Sequence, residues 1–588
     1  MILQALNDYY HRLRSESLTD IASEGFQKQS IPFVITLNRE GKFLGFLDTR
    51  SGEGKKKTAR EFIVPKGVKK TSGIAANLLW ETPAYIFARP KPNMKKDREK
   101  LLEKAIEQQQ LFIDLIRKRL SSVLEDEGVY AVLKFMEGYD FEKVFEQSAW
   151  AEIEQNGACL SFQLEGDNCL VCERSAVVDA LSCDMKSDDS YQQACLITGK
   201  KDEVARLHTA IKGVWGAQTS GGNIVSFNCS AFTSYGKIQS FNAPVGKTAE
   251  SAYTTALNHL LARGSRQRMQ VGDASTVFWA EKQHDFENIL IDLFGDPPKG
   301  EPEQDYKQLI AAFRSPQTGI LPQLDVQTRF FVLGLSPNAA RISVRFWYAN
   351  TVMAVAENLW RHFDDLEMIK GGKELRSVNL RSLLRSTALL GKDDNVPPNL
   401  AGDTMKAILK GTPYPQTLLS AAVRRCRAEH EITYPRASLI KAVLVREKRY
   451  YQKTTQEVGM SLDVTNNNIG YRLGRLFATL EKIQEEASPG INATIRDRFY
   501  GSASANPVAA FSQLMKLKNH HLAKLENKGR VVNFEKLICE IMEGLVDFPT
   551  HLSLGDQGRF AVGYYHQRQV FYANTKKINK PEGDTNHE

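Results

Sequence analysis

The feature that most constrains the fold is a change of hydrophobic periodicity near Ala340. Before this residue, alternating runs such as IPFVITLNREGKFLGFLDTR (31–50) are typical of strands, whereas residues 95–125 have the pattern of a long charged helix. After it, apolar residues recur mostly at helical spacing, as in SVRFWYANTVMAVAENLWRHF. We therefore predict an α+β fold, with a mixed α/β N-terminal region followed by an all-α C-terminal helical bundle.

The length of 588 residues allows more than one domain, since domains usually have roughly 150–200 residues. We predict an N-terminal α+β domain at 1–340, a helical basic region at 341–459 and a C-terminal helical bundle at 460–588. Within the last region, six apolar residues share one face of a predicted helix: Ile469, Leu473, Leu476, Phe477, Leu480 and Ile483. Basic residues on its flank and just after it are Arg472, Arg475, Lys482, Arg496 and Arg498.

The composition excludes several classes of protein. No apolar run approaches the ~18 residues of a membrane span, and the start MILQALNDYYHRL lacks the pattern of a secretory signal. Eight cysteines are too few for a disulfide scaffold. The net charge of +8, with a pI near 8.8, favours an acidic partner such as nucleic acid where the charge is concentrated. We expect a cytoplasmic protein that is not bound to a membrane.

Motifs for an enzyme are missing from the sequence. It contains no GxxxxGK[ST], no GxGxxG after a strand, no HExxH and no GxSxG. His284-Asp285 resembles a metal-nuclease dipeptide, but the nearby His259 and Asp292 follow no recognisable ligand spacing. We predict no catalytic residue, no metal and no cofactor, and a metal-dependent nuclease is the alternative function.

Four cysteines leave zinc binding open. Cys169 and Cys172 have the spacing of a zinc knuckle, and Cys183 or Cys195 could add ligands. The second pair is not a CxxC repeat, so reduced cysteines without a metal are the favoured interpretation.

The stretch SFNCSAFTSYGKIQSFNAPVG (226–246) combines amides, hydroxyls, aromatic rings and one lysine, with no carboxylate. Amides can read base edges, hydroxyls and lysine can contact phosphates, and aromatic rings can stack on bases. The alternative is a hairpin whose polar side chains satisfy their own backbone, and the composition does not separate the two. The candidate nucleic-acid contacts are Ser226, Asn228, Ser234, Tyr235, Lys237, Gln239 and Asn242.

A second candidate surface lies between Ala421 and Lys453, where nine Lys or Arg residues face only three Glu. A solvated helix face and docking to acidic proteins are alternatives. Because the excess has one sign, we predict contact with a nucleic-acid backbone. The nine bases are Arg424, Arg425, Arg427, Arg436, Lys441, Arg446, Lys448, Arg449 and Lys453.

Several long collinear blocks, including residues 195–245, 271–280, 333–347, 468–484 and 492–507, resemble the large subunit of the type I-C CRISPR Cascade complex. The similarity extends from MILQALNDYY to RQVFY, although the insert around Cys169 to Cys183 is not part of it. The resemblance implies a non-catalytic protein that helps to recognise the PAM, supports R-loop formation and recruits a nuclease-helicase. The implied partners are CRISPR RNA, target double-stranded DNA, the Cascade backbone subunits, the subunit that binds the CRISPR RNA handle, and small subunits.

On this resemblance we expect PAM recognition on two loops, since guide pairing supplies sequence specificity while the protein reads a short duplex element. One loop runs from Asn228 to Asn242, and the other contains Lys69, Lys70, Thr71, Ser72 and Asn77. The bases at 424–453 are expected to follow the displaced non-target strand. A purely structural scaffold is a further alternative, which predicts no salt-dependent DNA binding.

The resemblance also implies a small subunit made from an internal start in the same gene, and Met460 is the candidate start. Gln456-Glu457-Val458 can be encoded as CAG-GAG-GTN, which contains the ribosome-binding sequence AGGAGG shortly before the Met460 codon. The alternative is that Met460 is an ordinary linker residue.

Overall fold

We describe the fold from a computed structural model. It describes residues 1–16, 21–52, 57–68, 70, 73–92, 98–138, 141–184, 192–294, 327–370, 379–454 and 457–578. The chain forms two compact units. The first comprises Met1–Thr209 and Val225–His259, and the second comprises Ala210–Ile224 and Leu260–Glu588.

The first unit is built around a small mixed sheet. The strands of the whole unit are β1 (Phe26–Ser30), β2 (Phe33–Leu37), β3 (Phe43–Asp48), β4 (Glu61–Pro65), β5 (Trp80–Glu81), β6 (Leu160–Leu164), β7 (Gln192–Ala194) and β8 (Lys201–Glu203). The sheet order is β3-β2-β6-β5, with β2 and β6 parallel and the other neighbours antiparallel. β1 pairs with β4, and β7 pairs with β8, in two antiparallel ribbons.

The described residues of the first unit also form helices. They are α1 (Ile2–Ser15), α2 (Pro83–Ile86), α3 (Arg98–Arg119), α4 (Glu127–Gly138), α5 (Glu142–Phe145), α6 (Trp150–Asn156), α7 (Ser175–Asp184) and α8 (Lys247–Leu260). Single turns of 3-10 helix occur at Ser121–Val123, Val171–Glu173, Ser230–Phe232 and Gln239–Asn242. The hairpin expected at 31–50 is β2–β3, and the long charged helix expected at 95–125 is α3.

Aromatic side chains fill the core of the first unit. Phe87 lies edge-on to Phe141 and to Trp150, with ring centroids 5.2 Å apart in each pair. The β2–β3 turn packs directly on α4, since a Cβ on Gly41 would lie 2.7 Å from the carbonyl oxygen of Ala131. Gly41 also has φ +77°, so glycine permits both the conformation of the turn and its close approach to the helix. The hairpin and the helix are therefore fixed to each other.

The second unit begins with an antiparallel four-stranded sheet of order β12-β11-β10-β9. Its strands are β9 (Arg268–Val271), β10 (Ala274–Ala280), β11 (Arg329–Asn338) and β12 (Arg341–Thr351), and α9 (Phe286–Phe294) follows β10. The later helices are α10 (Val352–Leu366), α11 (Leu380–Ser386), α12 (Pro398–Lys410), α13 (Gln416–Glu429), α14 (Tyr434–Tyr450), α15 (Ile469–Ala487), α16 (Ile495–Ala503), α17 (Pro507–Ala523), α18 (Lys528–Met542) and α19 (Leu554–Ile578). Short 3-10 turns lie at Leu389–Gly391 and Asp393–Asn395.

The C-terminal helices pack around α15 and α19, which form the most extensive helix pair. Glycines allow this approach, since a Cβ on Gly474 would overlap the carbonyl oxygen of Phe560, and one on Gly563 would overlap that of Tyr471. Every secondary-structure element described between residues 399 and 572 is helical. The predicted fold class, a mixed N-terminal region followed by a C-terminal helical bundle, is confirmed.

The limits predicted at 340 and 459 do not coincide with the structural units. Ala340 lies in the turn between β11 and β12, so strand pairing extends past it to Thr351. The ring of Trp347 stacks on that of Phe331 with centroids 5.6 Å apart, which explains why this aromatic stretch is a strand rather than a helix. One apolar core continues from Phe278 in β10 to Phe560 in α19, and it includes Val458. No helix in the described residues is long and apolar enough to cross a membrane.

Candidate nucleic-acid interface

The polar stretch at 226–246 forms a projecting loop whose residues from Asn228 to Ile238 are all exposed. Its tip is a tight turn in which the amide of Lys237 donates to the carbonyl oxygen of Ser234 at 2.9 Å. Tyr235 and Gly236 occupy the central positions with φ of +51° and +71°, as in a type I′ turn. Tyrosine rarely adopts this conformation, and the Tyr235 side chain is 99% exposed. The loop therefore presents an aromatic ring to solvent in a strained conformation, which is common at functional sites.

Asn242 holds this loop together. Its Oδ1 accepts from the amide of Ser234 at 3.0 Å, and its Nδ2 donates to the carbonyl oxygens of Lys237 and Gln239 at 2.9 Å each. For Asn242 the structure thus matches the alternative interpretation, in which the side chain satisfies the backbone of its own loop. Its amide is already used and is a poor candidate for reading a base.

Gln239 is the second strained residue of the loop, with φ +48°. Its Oε1 is buried and has no hydrogen-bond partner among the described residues. A buried carbonyl oxygen without a partner is costly, so a small movement that offers this amide to a ligand would be favourable. Of the other predicted contacts, Asn228, Ser234 and Lys237 are exposed, and Ser226 is half-buried.

The second predicted loop is only partly described, because Lys69, Thr71 and Ser72 lie outside the described residues. Lys70 forms an ion pair with the buried carboxylate of Glu81, and its Nζ lies 4.0 Å from the centroid of the Tyr85 ring. Asn77 is buried, and its Oδ1 accepts from the amide of Val68 at 2.9 Å. Lys70 and Asn77 therefore support this loop from within, and the charge of Lys70 is already compensated.

Glu250 links the bases of the two loops. Its Oε2 accepts from Nζ of Lys66 at 2.7 Å, and its Oε1 accepts from the amide of Thr209 at 2.6 Å. Lys66 directly precedes the loop that contains Lys70, and Glu250 lies in the first turn of α8, which directly follows the loop at 226–246. Because Glu250 is buried, both loops leave from one fixed anchor.

The nine bases between Ala421 and Lys453 separate into exposed and buried groups. Arg424 and Arg427 are exposed on α13, and neither has an ion-pair partner among the described residues. Arg425 is half-buried and lies 3.6 Å from Glu429. Lys453 is exposed but lies 2.6 Å from Glu447, and Lys448 is half-buried. Arg424 and Arg427 therefore keep the features of the predicted phosphate-binding surface most fully.

Arg436 and Lys441 belong to the interior. Arg436 donates to the carbonyl oxygens of Ser386 and Glu431 at 2.8 and 2.9 Å and pairs with Glu429. Lys441 donates to the carbonyl oxygen of Asp365 at 2.9 Å. Both are buried, so the structure does not support their prediction as strand contacts.

Asp365 is the centre of this buried network. Its Oδ2 accepts from Nε of Arg446 at 2.8 Å, and its two oxygens accept from Arg449 at 2.7 and 2.8 Å. The guanidinium of Arg446 lies over the ring of Tyr414, whose hydroxyl is 2.5 Å from Nδ1 of His362. Burial, together with the charge of Arg446, lowers the pKa of His362 well below its usual value. The network joins α10 to α14 and stabilises the fold.

In the bundle, Arg472 and Arg475 were predicted to lie on a basic flank, and both are buried instead. Arg472 donates to the carbonyl oxygens of Asn466 and Ile541 and to Oδ1 of Asn467. Arg475 donates to Oε1 of Gln567 at 3.2 Å and to Glu540 at 2.8 Å. The close glycine packing of α15 on α19, with α17 and α18 also against α15, encloses the helix and explains the difference.

The other predicted bases of the bundle differ in exposure. Lys482 is half-buried and lies 3.3 Å from Glu486, and Arg496 is half-buried and lies 3.8 Å from Glu481. Arg498 on α16 is exposed and has no ion-pair partner among the described residues. Because α16 contacts α13, the structure brings the helix of Arg498 next to the helix of Arg424 and Arg427.

A family model for CRISPR-associated protein (Cas_Csd1) matches residues 6–572. The chain belongs to this family. It is a type I-C large subunit and a component of Cascade, which confirms the resemblance identified from the sequence. No curated protein matches the chain.

Sequence reasoning missed an exposed basic surface on this Cas_Csd1 protein. Lys516 within α17, Lys524 just after its end and Lys528 at the start of α18 are exposed, and none has an ion-pair partner among the described residues. Lys516, His520 and Lys524 are spaced four residues apart and lie on one side of the helix. The signal in the sequence is the absence of any carboxylate from Pro507 to Leu525.

The candidate metal ligands of the Cas_Csd1 protein do not converge in the part of the chain that the structure describes, where no three His, Cys, Asp or Glu side chains are placed to hold an ion. His284 is buried, and its Nδ1 accepts from the amide of Phe286 at 3.1 Å. Burial raises the pKa of the Cys172 thiol. Its Sγ donates to the carbonyl oxygen of Ile63 at 3.9 Å. The side chain of Cys183 lies outside the described residues.

Proposed function

We propose that this Cascade subunit recognises the PAM in double-stranded DNA, supports R-loop formation and recruits the nuclease-helicase. The observation that carries the proposal is the exposed loop from Asn228 to Ile238, with Tyr235 in a strained conformation at its tip. This loop has amide, hydroxyl, cationic and aromatic groups and no carboxylate. Those are the groups that read base edges, contact phosphates and stack on bases.

Within the loop we assign different roles to different residues. The amides of Asn228 and Gln239 read base edges, Lys237 and Ser234 contact phosphates, and Tyr235 packs against a base pair or an unstacked base. Asn242 maintains the turn through its three hydrogen bonds. This division fits a surveillance complex in which guide RNA pairing supplies most of the sequence specificity.

The test uses the assembled complex with its CRISPR RNA and duplex targets that carry a correct or an incorrect PAM. Asn228→Ala and Gln239→Ala should each reduce discrimination at one PAM position by about 1–3 kcal/mol. Lys237→Ala should weaken both targets alike and lower the salt dependence by about one phosphate contact. Lys100→Ala on the exposed surface of α3 is the matched control and should bind as wild type does. Wild-type discrimination in both amide variants would contradict the assignment.

For the displaced non-target strand we propose contact with Arg424, Arg427 and Arg498. These predicted bases are exposed and have no ion-pair partner among the described residues, and they lie on the contacting helices α13 and α16. Reversal of all three to Glu should leave the fold intact and destabilise the R-loop. Permanganate reactivity of thymines in the displaced strand measures this, and unchanged reactivity would count against the assignment. Docking of these bases to an acidic subunit predicts instead a loss of complex assembly.

We also propose that Met460 starts a second, shorter product. Its helices α15, α17, α18 and α19 pack on one another, so they retain much of their core without the preceding residues. However, a Cβ on Gly558 of α19 would lie 3.0 Å from Ile440 and 3.3 Å from Leu419, so α19 also packs closely on α13 and α14. The shorter product would expose that face, and we expect another subunit to cover it.

Synonymous recoding of codons 456–458 tests the internal start. It should remove a co-purifying band of about 14 kDa, scaled from 66.1 kDa for the whole chain, and leave the full-length protein unaltered. A band that survives both this recoding and Met460→Leu would refute a start at this position.

The nuclease alternative is tested with the purified full-length protein. Incubation of this protein with plasmid DNA and magnesium or manganese should give no cleavage. Cleavage that is lost in His284→Ala, but retained in the control His551→Ala at an exposed histidine, would replace the proposal.

A further inference from the structure

The segment from Val204 to Gly272 has almost no negative charge. It contains seven Lys or Arg residues and one carboxylate, Glu250, although the chain as a whole has 69 Asp and Glu in 588 residues, a frequency that would give about eight here. Glu250 is itself buried and paired with Lys66. Its parts in the second unit, residues 210–224 and 260–272, contain four Lys or Arg residues and no carboxylate, and such a surface attracts a polyanion.

Within the segment, Trp215 is unusual. Its side chain is 59% exposed, and it is the one tryptophan of the six, all of them in the described residues, that is exposed. The neighbouring Val214, in the second unit, is only 5% exposed. The alternation of an inward valine and an outward tryptophan shows that the loop is anchored beside the ring. The ring itself is left in solvent, where its flat face is available to a ligand that can stack on it.

The loop that carries Trp215 is rigidly closed. Ile211 and Gly222 exchange two backbone hydrogen bonds of 2.7 and 2.9 Å, and the amide of Trp215 donates to Oγ of the buried Ser275 at 2.8 Å. A Cβ on Gly213, which has φ +83°, would lie 2.5 Å from the carbonyl oxygen of Leu261. A preorganised aromatic group loses little entropy when it binds a ligand.

The approach of Gly213 to Leu261 also brings a basic segment beside this loop. Arg263 follows Leu261 by two residues, is exposed and has no ion-pair partner among the described residues. Lys212 and Arg266 are exposed as well, on the loop and on the neighbouring segment. An exposed ring and exposed cations thus lie on two segments whose backbones pack together at Gly213 and Leu261, and these are the groups that bind single-stranded nucleic acids.

We propose that Trp215 and Arg263 form a binding site for single-stranded nucleic acid, in which Trp215 stacks on an unpaired base and Arg263 contacts the adjacent phosphate. The site lies in the second unit, whereas the loop from Asn228 to Ile238 lies in the first, so the two do not depend on each other. Tryptophan and arginine are also frequent in protein interfaces, but the absence of carboxylates from residues 210–224 and 260–272 of the second unit favours the polyanion.

The experiment uses the full-length chain and short oligo(dT), oligo(rU) and duplex DNA. Tryptophan fluorescence reports binding, because stacking on a base quenches an exposed indole. Trp215→Ala should lose most of the quenching and weaken binding of single strands by about five- to 150-fold, as expected for one stacked base. The oligo(rU) and oligo(dT) arms show whether RNA or DNA is bound more tightly.

Two further variants separate stacking from charge. Trp215→Phe should retain part of the affinity, since phenylalanine can also stack. Arg263→Gln should retain the quenching and lower the salt slope for single strands by about 0.7, the value for one phosphate. Trp360→Phe changes a half-buried tryptophan elsewhere in the unit and should keep the wild-type affinity and quenching. Thermal unfolding confirms that each variant is folded.

The proposal is overturned if Trp215→Ala binds oligo(dT) and oligo(rU) as wild type does. It is also overturned if this variant retains oligonucleotide binding but fails to assemble with the other Cascade subunits, which would identify a protein interface. PAM discrimination is measured separately with the variants of Asn228 and Gln239, so failure of one site is distinguishable from failure of the other.

Discussion

Removal of the carboxylate of Asp365 should unfold the second unit at a markedly lower temperature while leaving the exposed basic surface unchanged. Arg446 is 1% exposed, and Asp365 is its only carboxylate partner among the described residues. Asp365→Ala leaves a buried cation without compensation, a change that costs about 3–5 kcal/mol. At roughly 2–4 °C per kcal/mol, the melting temperature of this unit should fall by about 6–20 °C.

Two comparison variants show whether the buried charge is the cause. Arg449 also binds Asp365, but its side chain is 44% exposed, so Arg449→Ala should cost only about 1 kcal/mol. The double variant Asp365→Ala/Arg446→Met removes the charge together with its partner, and the methionine can still pack on Tyr414. It should therefore be more stable than Asp365→Ala alone.

The same assay separates structural from nucleic-acid-binding bases in this region. Arg424→Gln/Arg427→Gln should change stability by less than about 0.5 kcal/mol, because both side chains are exposed. It should lower the salt slope for nucleic-acid binding by about 1.4–1.8, as expected for two phosphate contacts. The reasoning is refuted if Asp365→Ala melts no lower than Arg449→Ala, or if the double variant is the least stable of the three.

Three further predictions concern the helical bundle. Gly474→Ala should destabilise it by about 3 kcal/mol or more in urea unfolding, because the methyl group would overlap the carbonyl oxygen of Phe560, whereas Gly501→Ala meets nothing within 4 Å and should stabilise the helix by about 0.5–1 kcal/mol. Burial and the charge of Lys441 lower the pKa of His566 to about 4 from its ordinary value of 6.5, so His566 contributes stability above pH 6.5 that is lost as the pH falls towards 4. The loss should reach about 3 kcal/mol near pH 4, and equilibrium unfolding of His566→Gln should show a shallower pH dependence over this range. Lys516→Gln/Lys524→Gln/Lys528→Gln should lower the salt slope for nucleic-acid binding by about 2–3, while the control Lys100→Gln/Lys104→Gln on α3 leaves it unchanged.

The fold class could be predicted from the sequence because periodicity reports which face of an element is buried. The hairpin β2–β3, the long helix α3 and the apolar face of α15 all follow from local patterns. The strand β12 was missed because its aromatic residues suit either a strand or a buried helix over a short run. Its pairing with β11, and the stacking of Trp347 on Phe331, decide in favour of the strand.

The environment of each charged residue could not be predicted, because its partners are distant in the sequence. Arg475 is paired with Glu540 and Gln567, and Lys441 bonds to the backbone at Asp365. A basic residue on a helical pattern looks solvated until the helices that surround it are known. Burial of α15 on several sides depends on the glycines that admit α19, and their role is visible only when the two helices are placed together.

The candidate interface shows the same limit within a single loop. Composition alone left two interpretations of residues 226–246 open, and the structure supports both for different residues. Asn242 satisfies the backbone of the turn, and by doing so it holds Tyr235 in a strained, fully exposed conformation. The same dependence applies to Trp215, which stays exposed because the buried Val214 and the hydrogen bond from the Trp215 amide to Oγ of Ser275 anchor its loop. In both places, buried side chains or internal hydrogen bonds fix the backbone of a loop and thereby hold an aromatic ring in solvent, where it can stack on a ligand. Asn242→Ala should therefore impair binding through loss of the turn, and it should weaken correct and incorrect PAM targets alike. Tyr235→Ala keeps the three hydrogen bonds of Asn242 and, because alanine retains the Cβ, the same backbone strain, so it should remove only the contacts of the ring.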